Sequence, residues 1–84
     1  MKVPESGMPE EVYWESLLNV PLILDRLKID GAVEHVAELG CGYGTFTLPV
    51  ARRIRGMVFA FDIERAMIAR TVARAADEGI GNVN

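Results

Sequence analysis

The stretch HVAELGCGYGTFTLPVA, residues 35–51, decides how this chain folds, because it sets Gly40, Gly42 and Gly44 within five positions behind an acid, Glu38. Glycine loses more backbone freedom on ordering than any other residue, so three together need a reason. They lie between a short extended run, EHVAEL (34–39), and a segment of helical pattern, which predicts a tight turn joining a strand to a helix. The helix is expected from about Phe46 to Ile54, with Pro49 in its first turn, where a missing N–H costs little. Arg52, Arg53 and Arg55 gather at its C-terminal end, which the helix dipole favours for cations, and Gly56 closes it.

Downstream, MVFAFD (57–62) is the clearest strand, an apolar run of β-branched and aromatic residues that stops at Asp62. ERAMIARTVARAADE (64–78) predicts a helix with Met67, Ile68, Val72, Ala75 and Ala76 facing inward and Gly79 as its terminating residue. GNVN (81–84) points toward a third strand. The order strand, glycine turn, helix, strand, helix is a βαβα unit of the α/β class, with parallel strands and right-handed crossovers. Such sheets need cover on both faces, and the upstream helices are expected to supply part of it.

Upstream, residues 1–8 read as a flexible start. PEEVYWESLL (9–18) opens like a helix, with proline and acids in its first turn, and Tyr13 and Trp14 read as its packing face, with a cap over a ligand pocket as the alternative. PLILDRLKI (21–29) predicts a second short helix burying Ile23, Leu24 and Leu27 and ending at Asp30-Gly31. The expected organisation is therefore one domain over 9–84, with a helical segment at 9–31 and the βαβα unit at 33–84.

At 84 residues, 50% hydrophobic and 25% charged, the composition is that of a globular chain, not a disordered one. A chain this short buries only about 60% of its unfolded surface, so one core of marginal stability is expected. Cys41 is the single cysteine, which excludes an internal disulfide and suits a reducing compartment. The first residues are polar and broken by prolines, unlike a signal peptide, and no apolar run approaches the roughly 20 residues that span a bilayer. A soluble, cytoplasmic protein without a membrane partner is expected. The net charge of −3 gives no indication of a nucleic-acid partner. No cysteine–histidine cluster has metal-ligand spacing, so no metal is expected.

A glycine turn at the carboxyl end of a parallel strand lets a ligand approach the backbone closely. Asp62, 22 positions after Gly40, stands at the end of the next strand, where an acid accepts hydrogen bonds from both hydroxyls of a ribose. Two details separate the adenosine-containing cofactors. The spacing G-x-G-x-G is one residue shorter than a dinucleotide fingerprint, and Glu38 would repel a pyrophosphate. S-adenosylmethionine carries no phosphate, and its ammonium group would gain a charge-assisted partner in Glu38.

AELGCGYGTFTLPVARRI and VFAFDIERAMI thereby resemble the first two motifs of the class I, Rossmann-like S-adenosylmethionine-dependent methyltransferases, over about residues 33 to 78. The resemblance implies that Glu38 and the backbone of Gly40, Cys41, Gly42 and Gly44 surround the methionyl part of the cofactor. It implies Asp62 on the ribose and Ile63 against the adenine, with Tyr43 as a further lining residue. The family's sheet has seven strands and this sequence stops before the third, so the cofactor-binding N-terminal half of such a domain is expected. The implied activity is methyl transfer to an acceptor that the sequence does not identify, leaving S-adenosylhomocysteine, with the catalytic residues unknown. The alternatives are a catalytically inactive module that binds the cofactor or self-assembles, as a homodimer or with a complementary chain completing the sheet, and a dinucleotide oxidoreductase. Cys41 has no partner base in the sequence and reads as structural, His35 as exposed, and the arginines at 65, 70 and 74 as a solvated face.

Overall fold

The computed structural model describes residues 17–84, over which the chain forms helix α1 (Val20–Arg26), strand β1 (Val36–Leu39), helix α2 (Thr47–Arg53), strand β2 (Val58–Phe61) and helix α3 (Arg65–Asp77). This is the expected α/β order. The helix expected over 9–18 lies outside the described residues except for Leu17 and Leu18, which are not helical. β1 and β2 run parallel, with Val36 opposite Val58 and Leu39 opposite Phe61. Residues 82–84 join the far edge of β2: the Val58 N–H donates to the Asn82 carbonyl and the Asn84 N–H to the Val58 carbonyl, each at 2.8 Å. The anticipated third strand is thus present as a bridge between Val58 and Val83. The Asn82 side-chain amide fixes it by donating to the carbonyls of Ala51 and Gly56, both at 2.8 Å.

The core lies on one face of this sheet, where Val20 and Leu24 of α1 meet Val50, Ala51 and Ile54 around Val58. Val58 is completely buried, a burial that contributes about 1.5–3 kcal/mol for a side chain of this kind. α1 therefore shares the α2 side of the sheet, where it supplies part of the expected cover, and does not reach the opposite face. That opposite face leaves Leu39 84% and Phe61 52% exposed.

α1 begins at Asn19, whose side chain accepts the Leu22 N–H, and carries Pro21 in its first turn. It ends at Arg26, before the expected Asp30-Gly31, because Lys28 adopts a left-handed conformation with φ 59°. The Lys28 N–H then donates to the Asp25 carbonyl and the Ile29 N–H to the Leu24 carbonyl, at 3.0 and 2.9 Å, the paired bonds of a Schellman ending. Leu27 falls outside the core as a consequence, 64% exposed, while Ile29 is turned back onto it. The Arg53 guanidinium ties this ending to α2, reaching the Asp25 carboxylate at 2.7 Å and the Ile29 carbonyl at 3.4 Å.

α3 ends in the same way at the expected Gly79, φ 69°, with the Ile80 N–H on the Ala75 carbonyl at 2.9 Å. Its buried positions are Met67, Thr71 and Ala75. They form a narrow stripe four residues apart, so Val72 and Ala76, expected inside, are exposed and Ile68 is only half-buried.

Candidate functional site

The site is built where β1 and β2 end. Gly40, Gly42 and Gly44 all adopt left-handed φ values, 73°, 57° and 87°, a region that side chains strain to enter. The N–H groups of Gly40 and Cys41 both donate to the Phe61 carbonyl, at 2.7 and 2.9 Å, so the turn starts while still paired to β2. The Gly44 N–H then closes it onto the Cys41 carbonyl at 3.0 Å.

α3 holds the turn from behind. The buried Thr71 hydroxyl donates to the Gly42 carbonyl at 2.8 Å, and its methyl lies 3.2 Å from where a Cβ on Gly44 would stand. One turn further along, the Arg74 guanidinium donates to the Tyr43 carbonyl at 3.0 Å. Thr71 was missed by the sequence reading, which placed Val72 inside. The repeat Met67, Thr71, Ala75 at intervals of four was the signal that would have found it. Arg74, read as part of a solvated face, is half-buried and engaged in this bond and with Glu78.

Asp62 links the turn to the start of α3. One carboxylate oxygen accepts the Gly42 N–H and the other the Glu64 N–H, each at 2.9 Å. Each oxygen keeps a second lone pair for a ligand donor. Glu38 faces the covered side of the sheet, where it accepts a hydrogen bond from the Thr47 hydroxyl at the start of α2. Burial raises the pKa of its carboxyl above the ordinary value, and the Thr47 hydroxyl pulls it back in part.

Two clefts meet at Leu39. One, of about 510 Å³, opens at the ends of the strands among Leu39, Gly40, Phe61, Asp62 and Ile63. The other, of about 300 Å³, runs along β1 past Glu38, Leu39 and Phe46 toward Leu24 of α1 and Leu27 just beyond it. Both lie in the range of about 300–1,000 Å³ typical of small-molecule sites. A Cβ on Gly40 would meet no atom within 4 Å, so the missing side chain leaves the backbone open to a ligand. Ile63 is fully exposed at the rim, an apolar surface for a flat ring.

Of the residues singled out in the sequence, Glu38, Gly40, Asp62 and Ile63 line these clefts. Cys41, Gly42 and Gly44 are buried behind them and shape the turn from within. Tyr43 is also buried and lines neither cleft. The Cys41 thiol is 4% exposed, and burial, with lesser contributions from the Glu38 and Asp62 charges, pushes its pKa up. That suits structure and not nucleophilic attack. Among the described residues no group of three or more histidines, cysteines or acids is placed to hold a metal, and no helix is long and apolar enough to cross a membrane.

The chain belongs to the methyltransferase domain family, whose model matches residues 36–84, the stretch that holds both strands, the glycine turn after β1 and α3; the family is that of the class I methyltransferases. Among its relatives, the 23S rRNA (uracil(1939)-C(5))-methyltransferase RlmD of Methylococcus capsulatus is 50% identical over 50 residues, covering 60% of this chain and 11% of that protein. The enzyme of the same name from Stenotrophomonas maltophilia is 37% identical over 67 residues, covering 77% of this chain and 15% of its own. A tRNA/tmRNA (uracil-C(5))-methyltransferase of Ectopseudomonas mendocina is 42% identical over 50 residues, covering 60% and 14%. The crystal structure of a dimethyladenosine transferase from Plasmodium falciparum superposes with a TM-score of 0.62 at 30% identity, covering 76% of this chain and 24% of that one. The chain thus spans only a small share of the proteins it matches. The fold class is that of a Rossmann-like methyltransferase.

Proposed function

We propose that this chain forms the donor seat of a methyltransferase acting on RNA, at C5 of a uracil. The observation that carries the donor seat is the open backbone at Gly40, flanked by two clefts with Asp62 in one and Glu38 in the other. In this reading Asp62 accepts the ribose hydroxyls through its remaining lone pairs, and Ile63 packs on the adenine. The backbone from Gly40 to Gly44, with Cys41 and Gly42 behind it, shapes the passage to the methionyl end, where Glu38 meets the ammonium group. Bound there, the cofactor supplies a methyl group on a sulfonium, already a good leaving group, so orientation is the protein's main contribution.

The acceptor is supported by the relatives, three of which are named for methylation of uracil C5 in ribosomal or transfer RNA. This qualifies the expectation drawn from charge alone. A net charge of −3 gives this chain little electrostatic hold on a phosphate backbone, so the reading assigns it the donor and not the RNA. A reducing, cytoplasmic setting belongs to the same reading and agrees with the single buried thiol.

Calorimetric titration of the purified chain with S-adenosylhomocysteine tests the donor seat, with Asp62→Ala as the control. Saturable micromolar binding, weakened in the variant, supports it; no binding to a demonstrably folded chain removes it. Transfer of a labelled methyl from S-adenosylmethionine to transcripts with and without uracil tests the acceptor, 5-methyluridine in the digest being the expected product. A second reading, assembly through the sheet, is favoured by the exposed Leu39 and Phe61 and by the edge of β1 that no strand among the described residues pairs. A melting temperature that rises with protein concentration would support it.

A further inference from the structure

We infer that Thr47 is a positioning residue for the cofactor: its hydroxyl holds the Glu38 carboxylate in one orientation, so that the oxygen left over faces the methionyl ammonium. This rests on the donor-seat reading above. Thr47 opens α2 and is completely buried, yet its hydroxyl donates to a carboxylate nine residues back on β1. A buried hydroxyl requires a partner, and a valine at this position, of the same shape but without the hydroxyl, would carry no such requirement. Turning the bond to Glu38 instead fixes one oxygen of that acid and leaves the other to the cleft along β1, whose wall Glu38 forms.

The surroundings make the bond matter. Burial works against ionisation of Glu38, and the Thr47 hydroxyl works for it. The charged and titratable neighbours at the turn are Asp62, at the end of β2, and the Cys41 thiol, whose own ionisation the Glu38 and Asp62 charges oppose. None of the ion pairs among the described residues includes Glu38: Arg53 pairs with Asp25, and Arg52 and Arg74 with Glu78. An arriving ammonium would therefore be the cation that completes the site, and Thr47 keeps its partner ready.

The test compares two ligands that share the adenosine and differ in the amino-acid end: S-adenosylhomocysteine, which has the ammonium, and 5′-methylthioadenosine, which lacks it. Thr47→Val is expected to weaken the first about tenfold and to leave the second within about twofold, while Thr47→Ser restores wild-type binding of both. Equal weakening of both ligands, or no change in either, would overturn the inference, since a purely structural role would not distinguish them. Carbon-13 titration of the Glu38 carboxyl, without ligand, gives an independent reading: its pKa is expected to rise in Thr47→Val and not in Thr47→Ser. An unmoved Glu38 would also sink the inference. A wild-type chain that binds neither ligand removes the donor-seat reading itself, a result separate from any effect of Thr47.

Discussion

The carboxylate of Asp62 accepts the backbone N–H of Gly42 at 2.9 Å, across 20 residues of sequence, while its other oxygen accepts the N–H of Glu64. One side chain thus closes the glycine turn and starts α3. Asp62→Ala leaves two donors without partners, and it is expected to destabilise the chain by about 1–3 kcal/mol besides weakening adenosine binding. Urea denaturation without ligand separates the two effects. A variant as stable as wild type would mean that water replaces the carboxylate at both amides.

Gly40 and Gly44 share a left-handed backbone, with φ 73° and 87°, but differ in what surrounds them. Gly44→Ala would add strain and drive a methyl to within 3.2 Å of the Thr71 side chain, whereas Gly40→Ala meets only open space. Gly44→Ala is expected to be the more destabilising, by about 2–4 kcal/mol against about 1–2 kcal/mol. Gly40→Ala, although milder for folding, places its methyl in the cleft and is expected to lose more affinity for S-adenosylhomocysteine. Denaturation and calorimetry on both variants check the crossover.

Lys28 is the one residue other than glycine at positive φ among the described residues, 59°, where it ends α1. Its side chain is exposed, so its removal takes away no buried contact. Lys28→Gly relieves a conformation disfavoured by about 1–2 kcal/mol, offset in part by the greater freedom of glycine in the unfolded chain. A net gain of about 0.5–1 kcal/mol is expected, or about 2–8 °C in melting temperature for a chain of this size.

Burial raises the pKa of Glu38, with the Thr47 hydroxyl opposing it, so the folded chain keeps that proton to higher pH than the unfolded chain. Between the two pKa values the folded state binds more protons, and this group's contribution to stability falls as pH rises through its folded pKa. Glu38→Gln retains an acceptor for Thr47 and removes the titration. The variant is expected to match wild type in acid and to exceed it in stability at neutral pH, while binding S-adenosylhomocysteine at least about tenfold more weakly. Urea midpoints across the acid to neutral range, with and without ligand, give both results. A neutral-pH variant less stable than wild type would contradict this account of the buried carboxylate.

The turn, its flanking elements and its two acids were legible because glycine spacing, Pro49 and the abrupt strand ends at Glu38-Leu39 and Asp62 each carry a local physical requirement. Gly79 marked the end of α3 for the same reason. The end of α1 was not legible, since nothing in the composition of Lys28 marks a left-handed residue; tertiary packing of Ile29 imposes it. Thr71 and Thr47 escaped because a threonine facing inward looks like an interruption of an apolar stripe until its acceptor is known. The Gly42 carbonyl and the Glu38 carboxylate are such acceptors, and both are brought near only by the packing of helices against the turn. Which face of the sheet α1 would cover was equally a matter of packing, and no periodicity in its seven residues encodes it.

α3 grips the glycine turn at two successive carbonyls, Gly42 through Thr71 and Tyr43 through Arg74. A loop clamped in this way behaves as a mould and not as a flap. The ligand that fits it would meet a turn already in its final shape, with little ordering entropy to supply at these backbone atoms. Association would then be governed by diffusion and by the exposed strand ends, and differences in affinity between related ligands would be expressed in how long each one stays.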